Sequence, residues 1–173
     1  MKIVWVTVFL ICLVRVFVLP PKILAAFSFS IKEINPKIID SKSQEIQVTI
    51  LVTSLPSGDS YFRVGIDNGT SSVGYIKNNG TNWVKLGTLN SDKENSQCAN
   101  YFKISADGEY VLNIKIGDDN EIQNGDHAIK AYRFTSTCGS NTGSNETPSQ
   151  LININLPTPT PAPTATPSPT LIP

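Results

Sequence analysis

Between residues 27 and 156, apolar and polar side chains alternate in short runs. Residues 45–55 (EIQVTILVTSL) place Ile46, Val48, Ile50 and Val52 on one face and Gln47, Thr49 and Thr53 on the other. A period of two is that of a half-buried strand. The rhythm recurs in residues 27–31 (FSFSI), in 60–67 (SYFRVGID) with Phe62, Val64 and Ile66 inward, and in 109–116 with Tyr110, Leu112, Ile114 and Ile116 inward. Runs at 101–104, at 127–135 (HAIKAYRFT), whose pattern marks neither face as inward, and at 151–156 complete the series, the last with Ile152, Ile154 and Leu156 inward. Asn35-Pro36 and Pro56-Ser57-Gly58-Asp59 separate runs with turn chemistry. Beyond the N-terminal segment, no stretch carries a helical repeat with its caps.

The clearest hairpin joins residues 73–77 (VGYIK) to 82–86 (NWVKL) through Asn78-Asn79-Gly80-Thr81. Asn-Gly supplies the positive φ angles of a tight two-residue turn. Pairing about Asn79-Gly80 sets Tyr75 opposite Val84 and Ile76 opposite Trp83. Val73, Tyr75, Val84 and Leu86 then form the core face, and Gly74, Ile76, Trp83 and Lys85 the outer one. A one-residue change of turn length reverses the two faces. Seven or eight short strands between residues 27 and 156 predict an all-β fold, an antiparallel β-sandwich, with a closed barrel as the rival.

The two ends follow other rules. Met1-Lys2 leads into an apolar run over residues 3–19, interrupted only by Arg15, and then into Pro20, Pro21, Lys22 and Ala25-Ala26. A basic start, an apolar stretch and a small-residue end describe a secretory signal peptide over residues 1–26. The alternative is an uncleaved N-terminal signal anchor, although the run is short of the roughly 20 residues a membrane span needs. Residues 157–173 (PTPTPAPTATPSPTLIP) hold seven of the twelve prolines and no charge. Proline fixes φ and lacks a donor, so this stretch reads as a stalk or linker in extended polyproline II, reaching on the order of 50 Å. Residues 27–156 are the one folded domain.

Removing the ends changes the charge and the cysteine count. The 173 residues carry 14 Lys+Arg and 14 Asp+Glu, a balance that excludes a strongly basic nucleic-acid binder. Without Lys2, Arg15 and Lys22 the remainder has 11 basic and 14 acidic side chains, about −3. Cys12 falls in the signal, leaving Cys98 and Cys138. An even count in an exported domain predicts a disulfide. Neither cysteine lies in an alternating run, so the bridge is expected to staple two surface loops.

From the FSFSIKEINP opening to the GDHAIKAYRF strand, the chain resembles the Ig-like or fibronectin-III-like modules of bacterial surface proteins. Such proteins join modules with Thr-Pro linkers similar to PTPTPAPTATPSPT here. The resemblance is architectural, and the cysteine positions depart from those of antibody domains. It implies adhesion, spacing or ligand display, with no cofactor.

Catalytic chemistry finds little to stand on. His127, the one histidine, sits beside Asp126, but no G-x-S-x-G elbow accompanies it. It reads as a surface residue at a strand start. A zinc site needs several His or Cys ligands. Asp118-Asp119-Asn120-Glu121 with Asp126 clusters oxygen ligands but lacks EF-hand spacing, and reads as a solvated turn. No metal or cofactor is expected, and the chain is not expected to be an enzyme. Trp83, the only tryptophan after the signal, carries the remaining hint. Exposed on the outer face with Ile76 and Lys85, it would stack on a sugar; the alternative is that it packs in the core. Polar loops at residues 68–72 and 139–147 could assist recognition. The expected function is a non-enzymatic extracellular or cell-surface module for adhesion, display or structural spacing. Its expected partner is a cell-surface protein or polysaccharide. The alternative is a carbohydrate-binding module using Trp83.

Overall fold

The alternating run at 45–55 becomes the second strand of a five-stranded sheet in the computed structural model, which describes residues 26–69, 71–94, 96–118, 121–138, 141–144 and 150–158. The proposed signal (residues 1–26, all but the last residue) and residues 159–173 of the Pro/Thr stretch lie outside the described residues. The first sheet contains β1 (Ser28–Asn35), β3 (Ile46–Thr53), β6 (Tyr75–Lys77), β7 (Trp83–Lys85) and β9 (Gly108–Lys115), in the order β1-β3-β9-β6-β7. The second contains β2 (Ile38–Ile39), β4 (Ser60–Asp67), β5 (Ser72–Val73), β10 (Gly125–Thr135) and β12 (Leu151–Ile154), in the order β2-β12-β10-β4-β5. Beside these, β8 (Phe102–Ile104) pairs with β4, and β11 (Asn141–Ser144) pairs with β10. All pairings are antiparallel except β2 with β12.

The chain is therefore all-β, with two sheets packed as a sandwich. Ile46, Val48, Ile50, Val52, Leu112, Ile114 and Ile76 of the first sheet meet Phe62, Val64, Ile66, Ile129, Ala131, Ile152 and Ile154 of the second, all buried. Phe29 meets Phe62 edge to face across the gap, with centroids 5.3 Å apart. A buried isoleucine contributes about 1.5–3 kcal/mol relative to exposure, so this layer supplies the main driving force.

Three short strands, β2, β5 and β11, were not announced by any alternation, and β11 lies in a stretch read as a polar loop. The run 73–77, read as one strand, is two. Gly74 has φ +101° and separates β5 in one sheet from β6 in the other. A Cβ there would meet the Lys115 carbonyl at 2.7 Å. Glycine lets the chain step between sheets at this crowded point. A six-residue helix, α1 (Leu89–Glu94), also appears, its start capped by Thr88 Oγ1, which accepts from Ser91 N at 3.1 Å.

The second sheet carries an extra layer on its outer face. Phe134 pairs with Tyr61 and Tyr132 with Arg63, on the side opposite Phe62 and Val64. Phe134 and Arg63 are nonetheless fully buried. Above them lies the segment following β7, including Leu86, a 3₁₀ turn at Gln97–Asn100, and Tyr101, whose ring is 6.3 Å from that of Phe134. Gly65 leaves room for the Leu86 side chain, and Arg63 donates to the Ser72 carbonyl at 2.5 Å. Cys98, in the 3₁₀ turn, is bonded to Cys138 just beyond β10, with Cα atoms 5.7 Å apart. Both are buried. The bridge is thus part of a packed second layer and does not staple exposed loops: the turn folds inward because Phe134 and Tyr101 give it apolar surface to cover.

Candidate functional site

The hairpin of β6 and β7 decides which side chains face outward. Its turn is one residue longer than the Asn79-Gly80 reading. Asn78 N donates to the Asn82 carbonyl at 3.0 Å, and Thr81 N to the Asn78 carbonyl at 3.1 Å. Asn78 Oδ1 accepts from the backbone N–H of Gly80 and of Asn82, both at 3.0 Å. The left-handed residue is Thr81, with φ +75°. This is a three-residue loop closed by an Asx cap. Asn79 leans the other way. Its amide nitrogen donates to the Lys103 carbonyl at 3.0 Å and its Oδ1 accepts from Lys103 N, which ties the hairpin tip to β8 of the opposite sheet.

The observed register pairs Tyr75 with Lys85, Ile76 with Val84 and Lys77 with Trp83. Ile76 is fully buried in the core, so it does not belong to a binding face. Its assignment there is corrected by the longer loop, which shifts every pair by one, so that Ile76 joins Val84 on the inner face while Trp83 and Lys85 keep the outer one. Tyr75 moves the opposite way, from the expected core to the outer face. Trp83 and Lys85 stand outward together, Trp83 half-buried and Lys85 exposed.

Across the outer face, the pairing of β6 with β9 extends the row. Tyr75 lies opposite Lys115, so Lys85, Tyr75 and Lys115 form one line across three strands. Lys77 and Trp83 form the next. Lys115 Nζ lies 4.3 Å from the centre of the Trp83 ring and Lys77 Nζ 5.4 Å. Over Tyr75 stand Lys115 at 5.8 Å and Lys85 at 6.0 Å. Each ring is a negative face that holds two ammonium groups by cation–π attraction. Two carboxylates border the cluster. Glu45 is 3.5 Å from Lys77, and Asp118 accepts a hydrogen bond from the Tyr75 hydroxyl. That bond, reinforced by the charges of Lys85 and Lys115, holds the Asp118 carboxyl below the usual carboxylate range against the opposing effect of desolvation. Tyr75 is seated from beneath by Gly117, where φ is +68° and a Cβ would collide with the ring.

The remaining candidates are dispersed. His127 is half-buried, with Nδ1 2.9 Å from the Asp67 carbonyl oxygen and Nε2 2.8 Å from that of Gln123. It ties the start of β10 to the end of β4 and to the preceding loop. Glu121 accepts from Asn68 at 3.1 Å and Asp126 from Asn153 at 2.8 Å, so with Asp118 on Tyr75 the acidic run is split among three partners. Asp119 and Asn120 lie outside the described residues. Among the described residues, no group of three or more His, Cys, Asp or Glu side chains could hold a metal ion. Nor is any helix among them long and apolar enough to cross a membrane. Of the polar loop 139–147, residues 141–144 form β11 and the others lie outside the described residues.

Sequence reasoning reached Trp83 and Lys85 but missed Tyr75, Lys77 and Lys115. The alternation in Gly108–Lys115 already puts Lys115 outward, but nothing local shows that β9 lies beside β6. No family model matches the chain, and no curated protein matches it in sequence.

Proposed function

We propose that the protein is a non-enzymatic, extracytoplasmic β-sandwich module of the Ig-like kind, used for adhesion or ligand display and carried on the Pro/Thr stretch at 157–173. The observation that carries this reading is the asymmetry of the two outer faces. The second sheet is roofed by the disulfide-bonded layer, whereas the first is open, with Val111 in β9 50% exposed. That open face bears Tyr75 and Trp83 among three lysines. Support for an Ig-like topology comes from strand order: β1-β3-β9-β6 facing β12-β10-β4 parallels the A-B-E-D sheet facing G-F-C in such domains. The Cys98–Cys138 bridge suits an oxidising compartment, as does the signal-like sequence of residues 1–26. The partner is a cell-surface protein or polysaccharide, and the two outward aromatic rings favour the polysaccharide.

The test is a panel of polysaccharides and purified cell-surface proteins presented to the protein and to its Trp83→Ala and Lys85→Gln variants. Binding to at least one member, weakened about tenfold in both variants, is the expected result. Binding that neither substitution disturbs would place the recognition surface elsewhere.

A further inference from the structure

We infer that the open face recognises an acidic polysaccharide, a polymer bearing regularly spaced carboxylate or sulfate groups, through Lys77, Lys85 and Lys115. This rests on the module reading above and adds the charge of the ligand to it. Neutral-sugar recognition by an aromatic ring needs a bare ring face. Here Lys115 stands 4.3 Å from the centre of Trp83 and shares the face of Tyr75 with Lys85. The face therefore presents ammonium groups positioned by the rings, Lys85 exposed and Lys77 and Lys115 half-buried. Cation–π contacts hold a lysine without neutralising it, so the charge stays available to an incoming anion.

The balance of charge points the same way. Lys77 shares Glu45 at 3.5 Å, a contact between partly exposed groups worth little in water. Asp118, which accepts from the Tyr75 hydroxyl, is the second negative charge at the edge, so three ammonium groups stand against two carboxylates. Among the described residues, neither Lys85 nor Lys115 has a carboxylate within ion-pair distance. Their order matters as much as their number. Lys85 and Lys115 flank Tyr75 across three neighbouring strands, so their backbones are about 10 Å apart at two inter-strand spacings. Lys77 stands one row further along. A line of cations at sheet spacing suits a chain with repeated anionic groups better than a single small anion.

Isothermal titration of the full protein against a polyuronate, a sulfated polysaccharide and the carboxyl-reduced form of the polyuronate tests this. Binding to either charged polymer is expected, with the preferred one identifying the anionic group. Affinity should fall as salt rises, because exposed charges are screened within about 8 Å at physiological ionic strength. The carboxyl-reduced polymer, and the Lys77→Gln/Lys85→Gln/Lys115→Gln variant, should each lose about tenfold or more. Lys32→Gln/Lys37→Gln, outside the cluster, should lose nothing. Equal, salt-insensitive binding of the neutral polymer overturns the inference but leaves the module reading standing. Binding to a cell-surface protein with none to any polysaccharide does the same. Equal losses in the two lysine variants overturn it as well, since the attraction would then belong to net charge and not to this face. The polymer comparison uses unaltered protein, so it decides the question even if the triple variant misfolds.

Discussion

Asp118 accepts from the Tyr75 hydroxyl at the edge of a cluster of three lysines, and its carboxyl is held below the ordinary carboxylate range chiefly by that hydrogen bond. A depressed folded value stabilises the fold above the unfolded carboxylate value of about 3.9, and the contribution disappears as pH falls through the lower folded value. The direction yields a prediction. Followed by NMR, the Asp118 carboxyl should titrate below about 3.9 in the native protein, and Tyr75→Phe should move its midpoint upward. An unchanged midpoint in Tyr75→Phe would mean that the lysine charges alone hold the carboxylate. At this scale the residue types were legible and their company was not. Lys85 and Trp83 were placed together because they alternate on one strand, but Tyr75, Lys77 and Lys115 join them only through cross-strand pairing.

The β6–β7 hairpin shows how much one residue of loop length can decide. An Asn-Gly pair is a strong turn signal, yet Asn79 is spent on docking to Lys103, and Asn78 supplies the cap. The left-handed position falls on Thr81, a β-branched residue that pays steric strain at φ +75°. Thr81→Gly should relieve that strain and, after glycine's entropic cost, raise stability by about 0.5–1 kcal/mol. Urea denaturation would show it as a higher midpoint at constant slope. A lower midpoint would mean that the threonine side chain contributes more than the strain removes. The other long strands were easier to read. Ile46–Thr53 and Ser60–Asp67 alternate with period two, and their inward sets are buried as expected. Short strands such as β2 and β5 carry too few residues to show a period, so only their partners define them.

For the whole molecule, the layer over the second sheet is the main addition to a plain sandwich. It rests on Phe134, Tyr101 and the buried Cys98–Cys138 bridge, which closes a loop with a sequence separation of 40. The chain-entropy model assigns such a loop about 4 kcal/mol. Cys98→Ala/Cys138→Ala should therefore lower unfolding stability by up to about 4 kcal/mol. Limited proteolysis of that variant should cut first within residues 86–100 while the sandwich strands stay protected. Simultaneous cleavage in both sheets would instead show that the layer and the sandwich unfold as one unit.

Alternation along the chain was enough to determine that the protein is all-β and which face of Ile46–Thr53, Ser60–Asp67 and Gly108–Lys115 lies inward, though not of Gly125–Thr135, and the cysteine count pointed to the Cys98–Cys138 pair. These are local properties, written in the period of a strand and in residue chemistry. Strand neighbours are not local. That β9 lies beside β6, that Gly74 passes the chain from one sheet to the other, and that Leu86, the 3₁₀ turn Gln97–Asn100 and Tyr101 fold back over β4 and β10 all depend on contacts between positions far apart in sequence. The lysine-capped aromatic face is a product of those contacts. Its members come from three strands, and a single-residue shift in one hairpin would have buried Tyr75 and turned Ile76 out to solvent.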